Sequence, residues 1–345
     1  MSAAGQKLPV QLFYYDSESI TQTSYKAISV IKEIAKHTVL PRYELGQFRS
    51  LDPLSAGFAN ENYKLVTDHG KVLFRVVKQK EKQELVHELR LLNFLRQHSF
   101  PTAYPLPQTD GSYINDDEQL IVLYEFLEGD EPALNNQTAR EIGAAVGELN
   151  ALTGWQDLER DNAITLEKCR RLIPFFANNE EQLHPIFTYF EQETQALESP
   201  LSTDLPEGIV HADVFTDNTV FRGDELVGII DFEEACVDQL LFDVGIVING
   251  FGYPDNELNS NLVAALLHAY RQHRRLAPLE QELLPWFIRW GAHSQIYWHL
   301  RYGLLDHPNK KQLHRVQELM QRVEWAREHM KELSDLINQC FTTAK

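Results

Sequence analysis

Residues 211–243, HADVFTDNTVFRGDELVGIIDFEEACVDQLLFD, carry nine carboxylates and one permanent cation, Arg222. Several of these acids adjoin strongly apolar runs, as Val227–Ile230 does before Asp231. A carboxylate at the end of a buried strand is costly to desolvate unless a cation or hydrogen-bond donors compensate. The local chain supplies almost no cation, so a bound metal ion is the simplest compensation. Apart from Cys236 the donors are oxygens and amides, which favours hard Mg²⁺ over zinc. The spacing is His211-x-Asp213-x4-Asn218, with Asp231 thirteen residues further on. Phosphoryl transfer needs one carboxylate to orient an attacking hydroxyl and take its proton. It also needs an amide and a second carboxylate to hold metal on nucleotide phosphates. Asp213, Asn218 and Asp231 meet that requirement if a strand–loop–strand arrangement brings them to one edge.

The elements that must do this are legible from periodicity. Gly208–His211, Thr219–Phe221 and Leu226–Asp231 read as short strands in an otherwise helical second half. Helices are expected at about 138–152, 166–198 (broken at Pro174 and Pro185), 259–274, 279–305 and 312–340. Trp286, Trp290 and Trp298 read as core packing on one of these helices. Before them lies a β-prone region. Tyr63–Thr67 and Lys71–Val77 flank Asp68-His69-Gly70 as a hairpin. A helix near 81–98 follows, with Leu85, Leu89, Leu92 and Leu95 on one face, then a strand at Leu120–Phe126. Ahead of these, Ala27, Val30, Ile31 and Ile34 trace one amphipathic helix, closed by Pro41. The fold class expected is α+β, a small β-sheet lobe and a larger, mainly helical lobe. The boundaries are 1–50 for an N-terminal extension packing on the small lobe, 51–128 for the small lobe and 129–345 for the large one.

Composition narrows the partners. The chain has 345 residues, 43% hydrophobic and 24% charged, which is ordinary globular usage and excludes disordered and disulfide-scaffold classes. Its formal net charge of −18 disfavours a sequence-independent grip on nucleic acid or anionic lipid. No apolar run is long enough for a membrane span, and no signal-peptide pattern opens the sequence. Three widely spaced cysteines, Cys169, Cys236 and Cys340, read as reduced thiols of a cytoplasmic protein. No oligomeric state is indicated.

The motifs resemble those of the aminoglycoside phosphotransferase superfamily, small-molecule kinases with a bilobal protein-kinase-like fold. HADVFTDN resembles its catalytic loop and IIDF its metal-binding motif. The resemblance implies Asp213 as catalytic base, Asn218 and Asp231 as Mg²⁺ ligands, His211 as a brace of the loop and Asp243 as its support from below. Gly57, Asn60 and Asn62 resemble a phosphate-covering loop. Arg75, in VLFRVV, stands where the family usually has Lys; Glu88 matches its helix partner. Leu123–Leu127, with Glu125 and Leu127, resembles the hinge that holds adenine. ATP and Mg²⁺ are the implied cofactors. Asn150 stands where a related helix usually has His, a structural position.

Type II homoserine kinases carry similar stretches: HADVFTDNTVF is near their HADLFRDNVLF, and YWHLR near their FWLSR. That likeness implies a small-molecule hydroxyl acceptor, homoserine or a related amino alcohol. Arg301 is either a carboxylate partner or a helix-surface charge. Glu233 and Glu234 replace residues usually uncharged there and favour an amine-bearing acceptor. Aminoglycoside, choline-like and hydroxylysine-type acceptors stay open, as do a catalytically silent kinase-like binding protein and a metal-dependent hydrolase.

Overall fold

The computed structural model describes residues 22–54, 60–78, 80–178, 183–305 and 310–342. The chain divides into two compact units, one of Met1–Leu89 and Ala103–Phe126, the other of Arg90–Thr102 and Leu127–Lys345.

The first unit holds an antiparallel sheet of β1 (Phe48–Pro53), β2 (Asn60–Thr67), β3 (Gly70–Val77), β4 (Ile114–Asn115) and β5 (Leu120–Glu125), in the order β1-β2-β3-β5-β4. The hairpin between β2 and β3 closes where Thr67 pairs with Gly70, whose φ of +128° suits glycine. The sequence FRSLDP gave no strand signal, being polar and ending in proline. It forms an edge strand because its backbone pairs with β2, and only Leu51 is buried. Helix α1 (Gln22–Ile34) runs on through a π turn (Ala35–Val39) and a 3-10 turn (Leu40–Arg42). Ile31, Ala35, Val39 and Leu40 join one apolar cluster with Leu51, Leu65, Phe74, Val76 and Ile121. Val30, expected on the apolar face, is 56% exposed. The buried line steps by four residues from Ile31, and Val30 lies about 100° away from it. Helix α2 (Lys82–Gln97) buries Leu85, Leu89, Leu92 and Leu95.

The second unit is helical around two small ladders, β6 (Glu207–Val210) with β9 (Cys236–Gln239) and β7 (Thr219–Arg222) with β8 (Glu225–Ile229). Its described helices are α3 (Asn136–Ala151), α4 (Leu166–Leu172), α5 (His184–Leu201), α6 (Leu241–Phe251), α7 (Ser260–His273), α8 (Pro278–Trp298), α9 (Lys310–Glu328) and α10 (Met330–Phe341). Asn135 caps α3: its Oδ1 accepts from the Gln137 and Thr138 N–H, and the Thr138 hydroxyl accepts from Asn135 N–H. Pro174 sits in a 3-10 stretch after α4 and Pro185 in the first turn of α5, so the predicted breaks occur. The helix expected over 312–340 is two, parted at His329 with ψ of 28°.

Helix α6 lies outside the helices that periodicity predicts. LFDVGIVINGF is apolar nearly all round, so it shows no amphipathic period. It is buried against α8 at a crossing that only glycine permits. A Cβ on Gly245 would meet the Phe287 carbonyl oxygen at 2.1 Å, and one on Gly291 would meet the Gly245 carbonyl carbon at 2.8 Å. No described helix is long and apolar enough to cross a membrane. Cys169, Cys236 and Cys340 are buried free thiols.

Candidate functional site

Asp213 lies in the loop after β6, held from three directions. Below it, Asp243 at the start of α6 accepts the His211 N–H at Oδ2 and the Ala212 N–H at Oδ1, both at 2.9 Å. Ala212 has a φ of +66°, a costly region for a residue with a Cβ, and these two bonds hold it there. Burial pushes the Asp243 carboxyl up to about 6, against the pull of its backbone donors and Asn150.

His211 joins the two acidic stretches. Its Nε2 donates to the Ile230 carbonyl at 2.9 Å, and its Nδ1 accepts the Asp213 N–H at 3.2 Å. Burial lowers its pKa to about 4, so the ring is neutral and carries this donor–acceptor pair at ordinary pH. The next residue, Asp231, adopts a left-handed conformation (φ 66°, ψ 60°) that directs the chain into a short 3-10 turn through Glu233 and Glu234. Asn218 closes the loop: its Nδ2 donates to Asp213 Oδ2 at 2.7 Å and to the Asp213 carbonyl at 2.9 Å, while its own carbonyl accepts from Ile230 N–H.

The result is a concentration of negative charge. Desolvation and the neighbouring carboxylates of Asp217, Asp231 and Glu234 raise the Asp213 pKa well above the usual range. Burial, and then the Asp217 carboxylate, raise the Glu131 pKa as well. Asn218 brings an amide oxygen and Asp231 a carboxylate to this loop, hard oxygens of the kind suited to Mg²⁺. No group of three or more His, Cys, Asp or Glu able to hold a metal occurs among the described residues. A site of this kind suits Mg²⁺, which commonly takes one or two protein carboxylates and completes its shell with phosphate oxygens and water.

A polar chain supports Asp243 in turn. Asn150 Nδ2 donates to Asp243 Oδ2 and to the Ile209 carbonyl, each at 3.3 Å. Tyr270 O–H donates to Asn150 Oδ1 at 3.0 Å, Arg274 donates to Tyr270 at 3.0 Å, and Glu280 accepts from Arg274 at 2.5 Å. The loop is thus tied to α3, α7 and α8.

The other site candidates in this unit stand as follows. Leu127 packs on Gly228. The Glu233 carbonyl accepts from Arg160 at 2.7 Å. Arg301 lies over the Tyr302 ring, 5.4 Å from its centroid. Two contributors escaped sequence reasoning. Gln295 of α8 donates to Asp213 Oδ1 at 3.1 Å, and Arg160 holds the turn after Asp231. The only signal for Gln295 was an amide inside the apolar run WFIRWGAHSQIYW.

In the first unit, Arg75 on β3 is directly cross-strand from Asn62 on β2. Its Nε donates to Asn62 Oδ1 at 3.0 Å and its guanidinium lies 3.7 Å from Glu88 of α2. The Tyr124 ring packs under it at 5.4 Å. Arg75 and Glu88 are 7% and 3% exposed, so this is a buried ion pair. Asn60 opens β2 and is buried. Glu125 ends β5 with its N–H on the Tyr104 carbonyl at 2.9 Å. Gly57 lies outside the described residues.

Comparison with known proteins identifies the family. The sequence profile of the phosphotransferase enzyme family (APH) matches residues 50–279. A homoserine kinase of Bradyrhizobium diazoefficiens is 30% identical over 259 residues, 73% of this chain and 79% of that protein. A homoserine kinase of Rhizobium meliloti is 32% identical over 263 residues, with the same coverage. Among solved structures, a microcompartment-associated aminopropanol kinase superposes with a TM-score of 0.68 at 16% identity, covering 89% of this chain and 98% of that one. A choline/ethanolamine kinase family protein from Mesorhizobium loti does so with 0.66 at 15% identity, covering 92% and 99%. The α+β architecture is that of the protein-kinase-like fold.

Proposed function

The chain belongs to the phosphotransferase enzyme family, kinases that act on small-molecule hydroxyls, and we propose that it transfers phosphate from Mg·ATP to the hydroxyl of homoserine or a related amino alcohol. The observation that carries this is the convergence of Asp213, Asn218 and Asp231, with His211 linking the Asp213 amide to the carbonyl preceding Asp231.

In this reading Asp213 accepts the proton of the acceptor hydroxyl as the hydroxyl oxygen attacks the γ-phosphorus, the bond from that phosphorus to the β–γ bridging oxygen breaks and ADP leaves. Its crowded, partly desolvated carboxylate is more basic than a surface Asp, which suits a proton acceptor. Asn218 and Asp231 would hold Mg²⁺, which would supply positive charge against the transferring phosphoryl oxygens. His211 and Asp243 keep the loop in its strained shape. Residues 51–128 hold nucleotide, with Gly57, Asn60 and Asn62 covering phosphates, Arg75 oriented by Glu88, and Glu125 and Leu127 flanking adenine. Residues 129–345 carry the chemistry, and the described part of the N-terminal extension braces the sheet through Ile31, Ala35, Val39 and Leu40. Glu233 and Glu234 take the acceptor's ammonium and Arg301 its carboxylate.

The test is a panel of amino alcohols, starting with homoserine, assayed for ADP formation with Mg·ATP. Acceptor-dependent ADP release with homoserine is the expected result. Release driven better by a choline-like or aminoglycoside acceptor would move the substrate assignment. No release with any acceptor would leave a silent nucleotide-binding protein.

A further inference from the structure

Asp213 receives one amide donor on each carboxylate oxygen, and the two amides differ. Asn218, five residues along the same loop, spends its N–H groups on Asp213 Oδ2 and the Asp213 carbonyl. That contact is local and comes with the loop's own turn. Gln295 reaches Asp213 Oδ1 from α8, 82 residues away in sequence. It is half-buried within a helix stretch whose neighbours Gly291–Ser294, Ile296 and Tyr297 are buried. An amide in such surroundings costs free energy unless it is hydrogen-bonded. Among the described residues, no hydrogen bond takes up Gln295 Oε1. One turn further on, His299 is already engaged with Gln312. Gln295 therefore has one end on Asp213 and the other available.

The placement is built into the helix crossing. Gly245 and Gly291 let the α6 and α8 backbones touch. Asp243, two residues before Gly245, supports the loop, and Gln295, one turn after Gly291, meets the Asp213 carboxylate. One contact point thus sets both the backbone of the loop and the plane of its carboxyl group.

We propose that Gln295 positions the reaction: its N–H fixes the Asp213 carboxylate, and its Oε1 accepts a hydrogen bond from the ammonium of the acceptor. This rests on the reading of Asp213 as proton acceptor for an amino alcohol. Gln295 then adds, beside Glu233 and Glu234, to the preference for acceptors bearing an N–H donor close to the reacting hydroxyl.

The experiment compares the full-length protein with Gln295→Met and Gln295→Glu, using the acceptor that drives ADP release. Met keeps length and removes both ends of the amide. Glu keeps shape but sets a second carboxylate against Asp213. The expected result for Gln295→Met is a kcat loss of about 10²-fold, the cost of a misplaced reacting group. Its acceptor KM rises while its ATP KM is unchanged, and its preference for the amine over the deaminated alcohol narrows. Gln295→Glu loses more. Were Gln295 a packing residue alone, Met would leave kcat and acceptor KM at wild-type values, and that outcome overturns the inference with the kinase reading intact. Absence of ADP release from the wild type with every acceptor overturns both. Should the Met variant not fold, Gln295→Asn, which withdraws the amide by one methylene, supplies the same comparison.

Discussion

Two charged centres in this protein are built on opposite terms. On the sheet, Arg75 is matched: Glu88, Asn62 and Tyr124 surround it, and the buried charge is balanced within one unit. In the loop after β6, the carboxylates of Asp217, Asp231 and Glu234 repel that of Asp213, and the side chains that donate to Asp213 are neutral amides. The first centre is complete as folded. The second holds a strained, like-charged arrangement because Asp243, His211 and the α6–α8 crossing over-determine it. A matched pair belongs to architecture and orientation, whereas a like-charged cluster keeps its shape only because the scaffold around it holds it.

That contrast can be broken at several points. Replacing Asp213→Asn should lower kcat about 10²–10⁴-fold, read by ADP release. The melting temperature should hold or rise, because one like charge leaves the cluster. A fall in stability with activity retained would reverse the contrast. Glu88→Ala should act on stability as well as on nucleotide binding. Stranding buried Arg75 costs about 3–5 kcal/mol, measured by urea unfolding. Asp243→Ala leaves the His211 and Ala212 N–H groups without their acceptor, a loss of about 1–3 kcal/mol for each buried group. Activity should fall with it, since Ala212 is no longer held at positive φ.

The smallest effect sharpens the comparison by pH. His293 of α8 packs on Phe190, hydrogen-bonds Thr194 and lies near Arg289, which pairs with Glu193. Burial lowers its pKa from 6.5 to about 3. The unfolded chain therefore takes up a proton below pH 6.5 while the folded one does not, so stability is lost as pH falls from 6.5 toward 3. The slope is at most about 1.4 kcal/mol per pH unit. Asp243, raised to about 6, contributes the opposite sign between about 6 and 3.8. The difference between wild type and His293→Gln isolates the histidine. It should shrink steadily on acidification, and a difference independent of pH would exclude a buried neutral His293.

Much of the candidate site is legible in the sequence, for a physical reason. Asp213, Asn218 and Asp231 lie within one short stretch, and the strand–loop–strand that joins them follows from local apolar patterning. The hairpin at Asp68-His69-Gly70 and the helix carrying Glu88 were legible for the same reason. What escaped was non-local or without period. Strand β1 exists because β2 offers its edge, and α6 because its surroundings bury every face. Arg160 and Gln295 meet the loop from distant parts of the chain.

The amino-acid order alone therefore determined which chemistry is present: an amide and two carboxylates at fixed spacing, backed by His211 and Asp243. Tertiary structure decided how that chemistry is aimed. It brought Gln295 onto Asp213, ran the Asn150–Tyr270–Arg274–Glu280 chain beneath Asp243 and let α6 and α8 touch at Gly245 and Gly291. Spacing along a chain constrains only neighbours within a few residues, whereas the pose of a carboxylate depends on whatever packing delivers to each of its oxygens.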